Sequence, residues 1–408
     1  MAYDKLYIDL CSSKIVVLVE DSQGRLPLRY AIEHVDQDTI RQGQIYNLET
    51  TAQKIKKAVE AAIEKEKLEP DAVYVGFSDP EVEFITSVGM SACGTPDNPS
   101  EITEKHMEEA IFNSRAVKLE EGKIIVQTIP IEFNVDSKTD IKHPIGMLGV
   151  RLEVKSGLVT AKKSSILNYK KAIEKAGFYA DKFYYQPVSE LFTLPTQDDK
   201  ENGVLFIDIG RDLTNFGIIA ENKIRFVGTI PLGGINLNKD LKYYFGISID
   251  KAEEIKKEIS KILPTEEEAK DKYVLNKEGR RSKEVNLGTI TKYFQDRLAE
   301  IFELIKDETV LKDFRHDFNL VKITGGTSEI ENIEKLAGEI LGVDSEVFYP
   351  SQELETELNS WNLSYHSSLS SAIALYKFVN QNKLKERKTE KIAELTSIKN
   401  ILKKLFMK

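Results

Sequence analysis

Cysteine occurs only twice in 408 residues, at Cys11 and Cys93. Two thiols cannot make a disulfide framework for a chain this size, and neither sits in a Cys-x-x-Cys or His-rich spacing suited to a metal. A reducing cytoplasm is the expectation. Histidine is sparse too: His34, His106, His143, His316 and His366 have no i+4 partner, so they read as surface or satisfied core residues. No apolar run approaches the ~18 residues of a membrane span, and the start lacks a basic stretch followed by an apolar core. Excess positive charge is also missing. With 57 Lys and Arg against 66 Asp and Glu the net charge is −9, which argues against a nucleic-acid surface. What is present, 41% hydrophobic and 30% charged residues, is the balance of a soluble globular chain of two to three domains.

The chain opens with the apolar run Leu6 to Leu10, the polar turn Cys11-Ser12-Ser13-Lys14 and the run Ile15 to Val19, which predict a β-hairpin. A second copy of this grammar runs from Gly203 through Asp208 and the turn Ile209–Thr214 to Asn215–Ala220. Both first strands end in an aspartate. Two such hairpins about 200 residues apart suggest a duplicated, two-lobed architecture. Between them, helical spacing over Thr50–Lys67 followed by a strand at Val73–Phe77 is α/β grammar. Residues 84–163 change character, with strands at Ile124–Pro130 and Gly149–Val154, a turn-rich stretch Asp136–Pro144 and a helix near Thr103–Ala116, and read as an inserted small domain. Charged helices follow at Asp250–Ile262 and Asn286–Lys306, then a strand at Leu320–Thr324 enters Gly325-Gly326 ahead of a helix over Glu331–Leu341. The acidic run Thr265–Lys272 reads as a solvated loop or helix face.

An aspartate at a strand end, followed by a turn of small residues with inward backbone N–H groups, is a general way to hold phosphate oxygens and a hydrated Mg²⁺. Asp9 and Asp208 both qualify, although each could simply cap its turn. The glycine pair after Thr324 lets backbone approach a flat ligand or a phosphate, or merely lets strand and helix pack closely. Its weight comes from order along the chain: hairpin, inserted domain, hairpin, glycine turn.

The last 26 residues, from Lys383, carry nine Lys or Arg against three Glu. Within them Ile398, Ile401, Leu402, Leu405 and Phe406 stand at helical spacing, with Lys399, Lys403, Lys404 and Lys408 mostly beside or opposite that stripe. A basic amphipathic helix after the charged, linker-like stretch Lys383–Glu394 is expected to lie in a membrane interface, its lysines toward anionic headgroups. The bland alternative is a helix docked on its own protein.

Taken together the residues resemble the actin-like ATPases and, within them, the FtsA family of bacterial cell division proteins. The resemblance covers nearly the whole chain. Asp9 to Lys14 is similar to the first phosphate motif, Asp208-Ile209-Gly210 with Thr214 to the second, and Thr324-Gly325-Gly326 with Ser328 to the adenosine motif. More specific are Pro144 to Glu153, Ile230-Pro231-Leu232-Gly233-Gly234 and Ala252 to Lys256. The resemblance implies an α/β, actin-like (ribonuclease H-like) two-lobed ATPase fold with an inserted α+β subdomain of SHS2 type. It places the first lobe at 1–83, 164–200 and 371–384, the insert at 84–163, the second lobe at 201–240 and 316–370, and its subdomain at 241–315. A linker at 385–396 and a membrane-targeting helix at 397–408 would follow.

By position, Ser12, Ser13, Lys14, Gly210 and Thr214 would contact the phosphates of ATP, and Asp9 and Asp208 would hold the waters of Mg²⁺. Glu253 and Lys256 would flank ribose and base, Gly325, Gly326 and Ser328 would line the adenosine, and Gln186, before Pro187, stands where relatives orient the attacking water. Departures accompany the match: Cys11 replaces a common glycine, Arg211-Asp212 a glycine pair and Asn215 an aspartate. The second loop is bulkier and poorer in acid, so slow hydrolysis at most is expected, and Arg211 would either obstruct the cleft or pair with a phosphate. Arg297 resembles a helix position in the subdomain that receives the C-terminal tail of FtsZ, or is an exposed helix arginine. Trp361, Tyr365 and the small residues Ser367–Ala374 point to helix packing back against the first lobe.

The implied function is an adaptor: an ATP-binding protein that polymerises head to tail under the cytoplasmic membrane at the division site and ties FtsZ filaments to it. Its implied partners are FtsZ, itself, anionic lipids through Ile398, Ile401, Leu402, Lys403, Lys404, Leu405 and Phe406, and other division proteins, with no nucleic acid. A PilM-like component of type IV pilus assembly is the runner-up. A sugar or acetate kinase would need an acidic base in a second substrate pocket, for which the sequence offers no candidate.

Overall fold

The computed structural model describes residues 5–20, 29–63, 70, 72–278, 281–349 and 369–381. Its two five-stranded sheets share one topology. The first runs in the order Lys182–Tyr185, Ala72–Phe77, Lys5–Leu10, Lys14–Glu20, Arg29–His34; the second runs Asp344–Val347, Leu320–Thr324, Val204–Ile209, Thr214–Ala220, Lys223–Ile230. In each, the central strand pairs antiparallel with the next strand in sequence and parallel with a strand reached by a crossover. The duplication suggested by two hairpins thus extends to whole sheets.

The central strands are buried almost end to end, because both of their faces are covered. Each aliphatic side chain removed from water there contributes about 1.5–3 kcal/mol. Helix Leu48–Ile63 covers the first sheet through Ala52, Ile55, Ala58, Val59 and Ala62, the i, i+3, i+4 stripe that its sequence carries. A helix over 370–381 returns the chain to this lobe, placing Ala372, Ile373, Leu375, Phe378 and Val379 in the first-lobe core and Tyr376 edge-on to Tyr7. Of the run Ser367–Ala374 expected to pack here, residues 369–374 do so; Ser367, Ser368, Trp361 and Tyr365 lie outside the described residues, as do the linker and the amphipathic stretch 397–408.

The insert is a three-stranded antiparallel sheet, Glu83–Ala92, Arg151–Lys162 and Lys123–Val135, with helix Glu104–Asn113 on it. Thr103 and His106 form a capping box at that helix start, so this histidine is committed to structure. Gly89 lets the helix sit directly on the strand, since a Cβ there would strike the Ala110 carbonyl and Ser114 backbone. The insert has its own core of Cys93, Ile102, Ala110, Val135, Leu152 and Val154.

The second lobe carries helices Gly234–Phe245, Ile249–Ile259 and Leu287–Leu311 and the hairpin Lys272–Glu278 with Arg281–Asn286. Several boundaries differ from expectation. The Asn286–Lys306 helix runs on to Leu311 because Ile305 and Thr309 continue its buried face. The Asp250–Ile262 helix stops at Ile259, where Ser260 turns left-handed at φ 36° and its carbonyl accepts from Glu331 N. The Glu331–Leu341 helix begins at Ile333, because a 3-10 turn over Gly326–Glu329 and a left-handed Asn332 intervene after the glycine pair. Arg297 is held in a bidentate pair with Asp240, both bonds 2.8 Å, which ties Leu287–Leu311 to Gly234–Phe245.

Candidate functional site

Each hairpin closes its turn the same way: Cys11 N donates to Lys14 O at 3.0 Å, and Gly210 N donates to Leu213 O at 2.9 Å. That common closure leaves an acid at the end of each central strand. Asp9, 1% exposed, accepts at Oδ1 from Gln186 Nε2 at 2.5 Å and at Oδ2 from Ser371 Oγ at 2.6 Å and Cys11 Sγ at 3.2 Å. Burial pushes its carboxyl up, against the pull of these donors and of the Lys14 charge. Asp208 in the second lobe is pushed up to about 6, by burial first and then by the Asp9 charge, so the two acids lie in one electrostatic field. The site joins the two sheets.

Gln186 reaches Asp9 from helix Gln186–Thr193, which starts with Pro187 in its first turn, where the missing N–H costs nothing. Its amide lies where the Cβ of any residue but glycine at position 76 would be. Asp9 and Gly76 are register partners on parallel strands, so one bare backbone position makes room for the contact. On the other lobe Gly325, at φ +94°, sits against Asp208 Oδ1 and the Ile209 carbonyl, and a Cβ would collide with both. Gly326 opens the 3-10 turn, and Ser328 Oγ donates to Gly325 O at 2.8 Å.

The other predicted site residues surround this centre. Gly210 O accepts from Gly234 N at 2.9 Å and Thr327 Oγ1 at 3.2 Å, joining the second loop to the glycine turn. Lys256 Nζ bonds to Glu253 Oε2 at 2.7 Å and to Gly234 O at 3.3 Å, and burial lowers its ammonium while Glu253 raises it. Two predicted phosphate ligands have prior commitments. Ser12 Oγ accepts from Gly43 N at 3.1 Å, and Thr214 Oγ1 donates to Leu232 O at 2.9 Å. Ser13 and Lys14 are half-buried on the same turn, and Ser13 O accepts from Val35 N at 2.9 Å.

Arg211 reaches the first lobe. Its Nη1 donates to Val35 O of the first lobe at 2.8 Å and its Nε to Asp212 Oδ1 at 2.9 Å, while Asp212 Oδ2 accepts from Gln42 N at 3.0 Å. Asn215 is committed across the lobes as well, donating to Ser78 Oγ at 3.0 Å and accepting from Thr229 Oγ1 at 2.9 Å. The substituted second loop is therefore a clasp on the first lobe.

The sequence reading missed one acid. Glu190, 1% exposed on the same helix as Gln186, lies near Asp208, and burial first, then the Asp208 charge, push its carboxyl well up. A single Glu in an apolar helical stretch gave no motif; only its i+4 relation to Gln186 could have flagged it. Gln186 Oε1 and Glu190 Oε1 are both buried without a partner. Orphaned acceptors beside two acids fit a hydrated cation, whose waters are donors, and the glycine-lined turns fit a phosphate ligand. Among the described residues no group of three or more His, Cys, Asp or Glu is set to hold a metal directly, so such an ion would be held through water. Among the described residues, too, no helix is long and apolar enough to cross a membrane.

Comparison with known proteins matches these features. The family model for cell division protein FtsA matches residues 205–374, and that for the SHS2 domain inserted in FtsA matches residues 81–160. The chain is 27% identical to the cell division protein FtsA of Borreliella burgdorferi over 374 residues, covering 90% of this chain and 89% of that one. It is 26% identical to that of Pseudomonas aeruginosa over 338 residues, covering 82% and 80%. Among solved structures, the PilM-PilN type IV pilus biogenesis complex aligns with TM-score 0.63 at 15% identity, over 92% of this chain and 98% of that one. MreB5 of Spiroplasma citri bound to ADP aligns with TM-score 0.52 at 13% identity, over 93% and 98%. At these identities the structural likeness is one of fold: an actin-like, two-lobed α/β ATPase fold with an SHS2 insert.

Proposed function

This chain belongs to the FtsA family of actin-like cell division proteins, and we propose that it binds ATP with Mg²⁺ between its lobes, assembles head to tail and tethers FtsZ filaments to the inner face of the membrane. One observation carries the nucleotide part: of two acid-tipped hairpins from duplicated sheets, one has its Asp9 held by Gln186 and the other has the Gly325 turn seated on its Asp208, and the Asp9 charge reaches Asp208. Asp9 and Asp208 would hold the cation's waters, Gly210 and the first turn would bound the phosphates, and Gly325, Gly326 and Ser328 with Glu253 and Lys256 would bound the nucleoside. The bound cation would supply charge neutralisation for the phosphates. Gln186 keeps an oxygen free to orient a water while its amide holds Asp9. Asn215 carries no carboxylate and is tied to Ser78 and Thr229, so it is no general base. Slow turnover, and a role as adaptor rather than metabolic enzyme, follow.

The membrane part rests on the sequence from Ile398 to Lys408, which lies outside the described residues. A short basic amphipathic helix attaches reversibly, each lysine near an anionic surface adding about 1 kcal/mol. A filament presenting many such helices raises the effective concentration for each further insertion, so assembly would act as an attachment switch. The test is co-sedimentation with anionic liposomes, with and without ATP, for the full chain and for a chain ending at Ser397. Sedimentation of the full chain alone, strengthened by ATP, supports the reading; neither chain sedimenting rejects the membrane part, and equal sedimentation without ATP rejects the switch. Binding to an FtsZ tail peptide, and not to a pilus-protein peptide, would separate the division reading from the PilM-like one.

A further inference from the structure

Both lobes and the stem of the insert meet on one two-residue turn. The small hairpin Ile40–Arg41 with Gln44–Ile45 turns through Gln42 and Gly43, left-handed at φ 49° and 76°, the backbone that a tight hairpin turn demands. Gln42 serves the second lobe. Its N donates to Asp212 Oδ2 at 3.0 Å and its Nε2 to Pro231 O at 3.1 Å. Gly43 serves the first, donating from N to Ser12 Oγ at 3.1 Å and lying so close to the Ser78 carbonyl that a Cβ would strike it.

The same turn holds the insert. The chain enters the insert past Glu81 and leaves it at Lys162, and these two residues pair at 2.5 Å, making a stem. Gln44 Nε2 donates to Glu81 Oε2 at 3.1 Å. Strand Arg151–Lys162 runs without a break into helix Lys163–Lys175, where Tyr169, 1% exposed, donates its hydroxyl to Gly43 O at 2.7 Å. Lys163 N donates to Gly122 O of the insert at 2.8 Å, which stiffens that joint. Lobes that move apart must break the two bonds of Gln42 or drag the turn with them, and a displaced turn pulls on Tyr169 and Gln44. A short element bonded on both sides has discrete seatings rather than a continuous range.

We propose that the hairpin at 40–45 couples closure of the two lobes to the seating of the insert: closed lobes hold the turn through Gln42, and the turn holds the insert's stem through Tyr169 and Gln44. The coupling does not depend on which ligand closes the cleft. A second, direct path exists, since Lys223 of the second lobe pairs with Glu132 and Asp140 of the insert at 3.3 and 2.9 Å. The test separates the two.

The measurement is backbone amide exchange of the full chain without ligand, followed by mass spectrometry, which reads local opening segment by segment. Arg211→Ala removes the bond to Val35 O and the brace on Asp212, the partner of Gln42 N. It should speed exchange several-fold both in the hairpin, 40–46, and in the stem, 81–86 and 157–163. Tyr169→Phe with Gln44→Met cuts both links to the stem while nearly keeping side-chain volume. In that background Arg211→Ala should still speed the hairpin and leave the stem at the rate the cut variant shows alone, the non-additivity that marks coupled sites. A stem at the wild-type rate in Arg211→Ala overturns the proposal. So does a stem that speeds by the same factor with and without the links, which assigns the coupling to Lys223, and so does an unchanged hairpin, which shows that the lobe contact does not hold the turn. Should Tyr169→Phe not fold, Gln44→Met alone is compared: a partial loss of the stem's response supports the coupling, and a full response overturns it.

Discussion

Replacing Arg211 by alanine should loosen the cleft. Its guanidinium spans from the second phosphate loop to the Val35 carbonyl of the first lobe at 2.8 Å, and it braces Asp212, whose other oxygen accepts from Gln42 N at 3.0 Å. A hydrogen bond to a charged group is worth about 1.5–3 kcal/mol, and with a fifth of the side chain exposed the lower half of that range applies. A loss of about 1.5–2 kcal/mol multiplies the ratio of open to closed lobes by roughly 10 to 30. If a nucleotide must enter through the opened cleft, its observed association rate rises with the open fraction. Stopped-flow mixing with a fluorescent ATP analogue should therefore give a several-fold faster association for Arg211→Ala, with a smaller gain for Arg211→Lys, which keeps charge but not the fork. Identical association rates for the three proteins, with unchanged melting temperatures, would refute the clasp.

Asp208 supplies a pH test. Its carboxyl titrates at about 6 in the fold and near 4 when unfolded, so between those values the native state binds more protons and stability falls as pH rises. The difference is at most ~3 kcal/mol, and without nucleotide or metal Asp208→Asn should raise the melting temperature more at pH 7.5 than at pH 5; an equal gain at both rejects it. Gly325→Ala would force a Cβ into Asp208 Oδ1 and the Ile209 carbonyl at φ +94°; a loss of at least about 2 kcal/mol in urea unfolding and weaker nucleotide binding are expected. Lys322, 5% exposed, pairs with Asp199 at 2.7 Å and with the more exposed Glu346 at 3.3 Å. Asp199→Ala leaves a buried cation poorly matched and should cost roughly 3 kcal/mol, read from the urea midpoint at constant slope.

The two hairpins, their terminal aspartates and the inserted sheet were legible in the sequence, because alternating or continuous apolar runs broken by small polar turns report strands directly. The helices read from spacing exist, but Lys163–Lys175, Gln186–Thr193 and Gly234–Phe245 went unread, and helix ends were not legible, since Ser260 and Asn332 stop or redirect the chain through left-handed backbone that no periodicity encodes. The FtsA motifs gave positions for the phosphate and adenosine residues, but not their hydrogen bonds: Ser12 and Thr214 turned out to serve Gly43 and Leu232. Arg211 offered two opposite readings, and the structure adds a contact neither foresaw, a bridge to Val35.

By itself the sequence determined two lobes, their acid-tipped hairpins and a basic amphipathic stretch, because these are local patterns of apolarity, charge and turn chemistry. Only the tertiary structure decided what meets at the cleft. Ser371 lies 362 positions from the Asp9 it holds, and Gln186 lies 177 positions away. Glu190 meets the charge of Asp208 from a strand of the other lobe, and burial there pushes its carboxyl up. Such contacts depend on where sheets close on one another, and burial then sets the charge that each group can carry.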